Sequence, residues 1–260
     1  MSHIMAIATR ELRSMFTTPD AYVLIGVYML FAGFIFFASL GLFMVQLEQI
    51  QALGMVQLLD QFNLQDIVIG QSLSTFALFL CFLVPLLSMR GFAAERASGS
   101  IELLLTSPVT SAEIVIGKFL AMAIVLFLVG ALTGLFVVLL FVYGKPGPEL
   151  WQTLAGLQTL FLYSLALAAL CCFISALTRS QIVAGFVGIA TALLLLIIPV
   201  AAESSQSESL KGVLTWLGTS THFEPGLRGD IRSEDLSYFA IAVLAFLSLA
   251  RAAVDSLRWR

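Results

Sequence analysis

Charge is rare in this 260-residue chain, yet it separates two long apolar runs in one short stretch, RGFAAERASGSIELLLTSP at residues 90–108. There Arg90, Glu95, Arg96 and Glu102 stand among apolar neighbours, with Gly91 and Gly99 between them. Acids and bases at this spacing suit ion pairing and docking rather than bond making, because no nucleophile–base pair accompanies them. His3 and His222 are the only histidines, and GxSxG, HExxH and GxxxxGK[ST] are absent. Gly117-Lys118 lacks the upstream glycine spacing and the following hydroxyl of a phosphate-cradling loop. His222 and Glu224, two apart, are poorly spaced as metal ligands. The chain is therefore expected to hold no catalytic centre, metal or cofactor of its own. A second polar group, Gln71, Ser72, Ser74 and Thr75, opens an apolar run. It reads either as the lining of a pathway or as an ordinary helix end.

What must position these residues is greasy. Hydrophobic residues make up 60 % of the chain and charged ones 11 %, with a mean hydropathy of +1.01. A soluble domain carries about 25 % charge, so a water-soluble fold is excluded and the bilayer is the expected surroundings. The net charge of −3 gives no sign of nucleic acid. Cys81, Cys171 and Cys172 all fall in apolar runs and read as small hydrophobes.

Crossing about 30 Å of hydrocarbon takes about 20 apolar residues in a helix. Charge-free stretches of that order recur at 21–45, 71–89, 119–143, 152–177, 181–201 and 236–253, the last if Arg251 snorkels. Six spans follow, forming one all-α polytopic domain over residues 1–260. With both ends inside, nine of the 13 basic residues become cytoplasmic: Arg10, Arg13, Arg90, Arg96, Lys118, Arg179, Arg251, Arg258 and Arg260. That asymmetry orients the chain. Residues 1–20 place Ile4, Ala8, Leu12, Met15 and Phe16 on one face, as an interfacial helix does, before a turn with Thr18 as N-cap and Pro19 at the first helical position. Thr110-x-x-Glu113 is a capping box that starts the helix leading into the third span. Residues 46–70 and 202–235 are outside segments long enough for short helices of their own.

No span carries an ionisable residue at its middle, which disfavours a carrier driven by an ion gradient. Gly130-x-x-x-Gly134, and Gly185 with Gly188, are expected to let helices approach closely. Pro85 and Pro199 are expected to kink or break their spans locally. The 90–118 segment reads as helix, break, helix. Gly99 ends the first piece, Ser98 or Ser100 caps the next, and Ile101–Leu105 stops before Pro108.

The run MRGFAAERASGSIELLLTSPVTSAEIVIGKFLA at residues 89–121 resembles the signature of ABC-2-type transporter permeases: an acid–base pair, a G-[ST]-I-E-L-L core, a T-S-P-V step and KFLA. THFEPGLRGDIRSEDLSYF at 221–239, with the closing LRWR, is similar to the gliding-motility-associated subgroup. LTRSQIVAGFVGIA at 177–190 and TTPDAYV near the start extend the likeness over the chain. The resemblance implies the permease half of an exporter in a bacterial cytoplasmic membrane, paired with a second copy or a sister permease. It further implies a cytoplasmic ABC ATPase dimer that holds the ATP and Mg, and an extracytoplasmic accessory protein. Residues carried over as coupling candidates are Arg90, Glu95, Arg96, Gly99, Ser100, Glu102 and Leu103, flanked by Arg10, Arg13 and Arg179. Alternatives are an ABC complex doing mechanical work on envelope proteins, and a membrane scaffold or channel without an ATPase.

Overall fold

A computed structural model describes residues 3–54, 64–100, 109–144, 147–203 and 207–258. Among these residues every regular element is helical. Helix α1 (His3–Thr17) precedes α2 (Pro19–Ala52). A π-turn at Gln65–Gly70 runs directly into α3 (Gln71–Ser88), and a step at Met89-Arg90 leads to the short α4 (Gly91–Ala97). Then follow α5 (Ser111–Tyr143), α6 (Leu150–Leu177), α7 (Gln181–Glu203), α8 (Glu208–Leu217), α9 (Thr219–Leu227) and α10 (Ser233–Arg258). Among the described residues, six segments are long and apolar enough to span a bilayer: α2, the π-turn through α4, α5, α6, α7 and α10.

The bundle is organised around α6. In the most apolar stretch of each helix, 72 % of α6 is buried, against 22 % of α2 and of α7 and 17 % of α10. Helices α3, α5, α7, α9 and α10 all pack on α6. Tyr163 sits at its centre, fully buried, with its ring stacked on Phe223 at 5.4 Å and edge-on to Phe239 at 6.5 Å. Its hydroxyl meets Cys81 Sγ at 2.8 Å. All three cysteines are buried and free, as small hydrophobes are. Outward positions are apolar too, among them Leu30, Phe34, Phe186 and Leu244. In water such a surface is prohibitive, and in hydrocarbon it is the required one.

The helix starts follow local chemistry. Thr110 and Glu113 close both halves of the capping box: Glu113 N–H donates to Thr110 Oγ1 at 3.3 Å, and Thr110 N–H donates to Glu113 Oε2 at 2.8 Å. Thr18 takes the extended N-cap conformation before Pro19, but its hydroxyl does not cap α2. It accepts instead from Arg90 Nη1 at 3.3 Å. Gly99 ends α4 with φ +72°, a conformation that costs a side chain about 1 kcal/mol or more and glycine nothing.

Several expectations need correcting. The loop expected over 90–118 is shorter than those bounds, because α5 begins at Ser111, where the capping box puts it, and takes in Lys118. The first expected outside segment is partly taken up by α2, which stays helical to Ala52. Pro85 and Pro199 interrupt neither α3 nor α7. Gly188 makes its close approach, since a Cβ there would stand 2.9 Å from Pro85 Cβ, but Gly130 has no atom within 4 Å of such a Cβ. The short helices expected in 202–235 are α8 and α9.

Candidate functional site

At the end of the bundle that carries α1, four elements converge: α1, α4, the start of α5 and the end of α6. Close packing makes this possible. A Cβ on Gly117 would stand 2.8 Å from Ile7 Cγ2 and 3.1 Å from the Ile4 carbonyl, so α1 lies directly on the first turns of α5. Phe92, Ile114, Val115, Ala176, Ala250 and Val254 form a separate buried apolar cluster beneath it, with Ile7 against them.

Within this packing sits a charge cluster. Only 3 % of the Lys118 side chain meets solvent, and its Nζ lies 3.0 Å from Glu11 Oε1 and 3.1 Å from Glu95 Oε1. It also donates to the Gly91 carbonyl at 3.0 Å and stands 5.2 Å from the centre of the Phe92 ring. Arg10 Nη2 donates to Glu95 Oε1 at 2.9 Å. Two carboxylates thus meet two cations, one of each sign from α1, with the others from α4 and α5. A buried ammonium is tolerated only when paired and hydrogen-bonded in this way.

Helix α4 is held on its other side as well. Its N-terminal amides at Phe92 and Ala93 both donate to Ser175 Oγ, at 3.1 Å each, so a hydroxyl from α6 does the work of an N-cap. Arg96 Nη1 donates to the Ala176 carbonyl at 2.5 Å, at the carbonyl-rich end of α6. Arg90 pairs with Asp20 at the start of α2. Arg10, Glu11, Asp20, Arg90 and Glu95 border a cavity of about 490 Å³, whose inner side is Leu24, Leu86 and Leu87. None of these groups is arranged as a nucleophile with a base.

The coupling candidates divide by place. Arg10, Arg90, Glu95 and Arg96 come together at this junction, each bonded to a neighbouring helix, with Arg10 and Arg90 about half exposed at its rim. Gly99 and Ser100 are exposed just beyond α4, with Ser100 Oγ 2.8 Å from Ser98 Oγ. Arg13 and Arg179 are exposed and form no ion pair among the described residues. Glu102 and Leu103, with the expected Ile101–Leu105 helix, lie outside the described residues. The Gln71 group sits at the opposite end. Gln71 and Ser74 border a polar cavity of about 270 Å³ with Asp66, Glu224 and Arg228. Ser72 is buried, and Thr75 Oγ1 donates back to the Gln71 carbonyl at 2.9 Å.

Glu11 and Lys118 were missing from the sequence-derived site. The signal for Glu11 was its place four residues after Ile7, which puts it on the face of α1 that packs. For Lys118 it was a lone charge bordering an apolar run, directly after a glycine.

A multi-pass membrane protein with a cluster of paired charges packed between helices at one bundle end is the class this architecture defines. The model of the ABC-2 family transporter proteins matches residues 5–224, and the chain belongs to that family. It is thus of the type that forms the membrane subunit of an ABC transporter, a subunit generally not catalytic itself and in general served by a cytoplasmic ABC ATPase. No curated protein matches the sequence.

Proposed function

We propose that this chain is the permease subunit of an ABC exporter, with α4 and the residues after it as the entry point for force from a cytoplasmic ATPase dimer. The observation that carries the reading is that α4 is fastened at once to α1, α5 and α6, through Glu95, Lys118, Ser175 and Arg96. A short helix tied to three neighbours moves them when it is pushed. Ser98, Gly99 and Ser100 are exposed and offer the contact, while Glu95 and Arg96 transmit it.

In this reading both termini are cytoplasmic and the membrane is the bacterial inner membrane. The partner ATPase holds ATP and Mg. A second permease copy or a sister permease completes the pathway, with an extracytoplasmic accessory protein facing α8 and α9. The residues at 221–239 favour the gliding-motility-associated subgroup. Arg13 and Arg179 flank the docking face as exposed cations for an acidic partner surface.

The test is co-purification from mild detergent followed by coupled assays. The native chain should retain an ABC ATPase. Glu95→Ala/Arg96→Ala should still insert and retain that ATPase, but ATP turnover should no longer respond to substrate. Gly99→Val/Ser100→Arg should lose the ATPase outright. Native-like coupled turnover in Glu95→Ala/Arg96→Ala would overturn the assignment of α4.

A further inference from the structure

At the end of the bundle away from α1, helices α8 and α9 form a hairpin over the ends of α6, α7 and α10, and beneath it lies a second cavity. Its volume is about 200 Å³, larger than an apolar cavity of about 150 Å³ that admits benzene. The walls are Leu167 and Leu170 of α6, Leu195 of α7, and Ile241, Ala245 and Phe246 of α10. Almost nothing polar faces it. The exception is Thr219, the first residue of α9, which is 5 % exposed, its buried hydroxyl meeting only the Tyr163 hydroxyl and short of full hydrogen-bond geometry there. The neighbouring Tyr163 hydroxyl is turned to Cys81. A buried hydroxyl left without a well-formed hydrogen bond costs about 1–3 kcal/mol, so one held this loosely is free to turn to a better acceptor in the cavity.

The cavity has a direction. Its polar end is at Thr219 and Tyr238, and its deep end at Leu170 and Phe246. Tyr238 and Phe246 are eight residues apart on one helix, about 12 Å along the axis. That is most of one leaflet's hydrocarbon depth of about 15 Å. Ile241, Ala245 and Trp216 border the cavity and are exposed on the outer surface of the bundle, so the slot opens sideways into lipid.

The roof is fastened. Tyr238 donates its hydroxyl to the Leu217 carbonyl at 2.9 Å. His222 stacks on the Tyr238 ring at 4.0 Å, and its Nδ1 and Nε2 lie 2.8 Å from Asp235 Oδ1 and 3.1 Å from the Trp216 carbonyl.

We propose that this slot binds one acyl chain of an ester-linked membrane lipid, with Thr219 Oγ1 donating to the ester carbonyl and the chain running down between α6 and α10. An ester carbonyl accepts the one hydrogen bond on offer, and the methylenes meet a wall that offers none. The hydrocarbon comes from the leaflet on the α8–α9 side, whichever way the chain is inserted. The proposal therefore rests on the membrane-spanning bundle and not on the ATPase assignment.

The experiment uses the purified full chain in nanodiscs doped with a phosphatidylcholine that carries a diazirine at the end of one acyl chain. Photolysis and peptide mass spectrometry locate the label. Labelling should concentrate on Leu170, Ala245 and Phe246 and exceed that of the lipid-facing Leu30 and Phe34. Ala166→Phe/Ala242→Phe fills the slot and should lower that labelling at least tenfold while leaving Leu30 and Phe34 unchanged. Thr219→Val keeps the volume and should lower it about fivefold, the loss of one hydrogen bond. Labelling of the native slot no stronger than at Leu30 and Phe34 would overturn the proposal, as would full labelling in the filled variant. Neither readout needs an ATPase, so failure here leaves the exporter reading standing.

Discussion

Lys118 Nζ stands 3.1 Å from Glu95 Oε1, joining the third long apolar helix to the short helix α4 through a side chain that is almost wholly buried. Glu11 completes the pair from α1 at 3.0 Å. Removing the cation alone leaves Glu11 and Glu95 with only the half-exposed Arg10 beside them, and breaking a largely buried pair this way costs up to about 3–5 kcal/mol. Lys118→Ala should therefore unfold at markedly lower denaturant in detergent. Replacing all three, as Glu11→Gln/Glu95→Gln/Lys118→Met, should restore most of that stability, since neutral groups of similar volume carry no such penalty. If the junction transmits force, the triple variant stays uncoupled although stable. Equal loss of stability in the single and triple variants would show that shape rather than charge holds the junction.

Gly117 sets the distance between α1 and α5. A valine there would press branched carbons against Ile7 and the Ile4 carbonyl, and a backbone oxygen cannot rotate away. The strain of such overpacking is about 1–3 kcal/mol. Helix α1 lies at the edge of the bundle and its ion pairs depend on this close approach, so Gly117→Val should loosen it rather than unfold the whole chain. Limited proteolysis should then cut near Thr17-Thr18 several-fold faster than in the native chain. Unchanged cleavage would mean that α1 is held elsewhere.

Ser175 serves two amides of α4 from another helix, and few side chains could replace it. Losing a capping hydroxyl costs about 1 kcal/mol. In Ser175→Ala, amide exchange at Phe92 and Ala93 should quicken about fivefold, while the core of α6 stays protected. Ser175→Thr keeps the oxygen and should restore part of the protection. Exchange that quickens evenly along α6 would mark a packing defect instead of a lost cap.

The spans were readable because hydrocarbon imposes a single rule, length without charge, and six stretches obey it. Thr110 with Glu113, Pro19 and Gly99 were readable because caps and left-handed residues are local chemistry, decided within four positions. The junction was only half readable. Arg10, Arg90, Glu95 and Arg96 stood out as charges in a greasy chain, but their partners come from far along it: Glu95 meets Lys118, and Arg96 meets a backbone carbonyl at Ala176. Which charge faces inward depends on how α1 lies on α5, and a lone sequence holds no term for that. Lys118 was left out because the capping box shows that it is helical but nothing local shows which way it faces.

Two glycine pairs that look alike in sequence differ in what they touch, and this gives a controlled comparison. Gly188 faces the Pro85 ring, with a Cβ distance of 2.9 Å, and Cys171 Sγ at 3.5 Å lies behind. A proline ring fixed in a helix has no rotamer to yield, so α3 and α7 must part to admit a side chain. Gly188→Val should cost about 1–3 kcal/mol in detergent unfolding. Gly130 meets nothing within 4 Å, and Gly134 only the flexible end of Leu157 at 3.7 Å. Gly130→Ala should leave the same transition within about 0.5 kcal/mol. A large loss at Gly130 in the isolated chain would mean that α5 packs through its small-residue stripe after all. A small loss at Gly188 would mean that the approach of α3 to α7 is looser than its 2.9 Å implies.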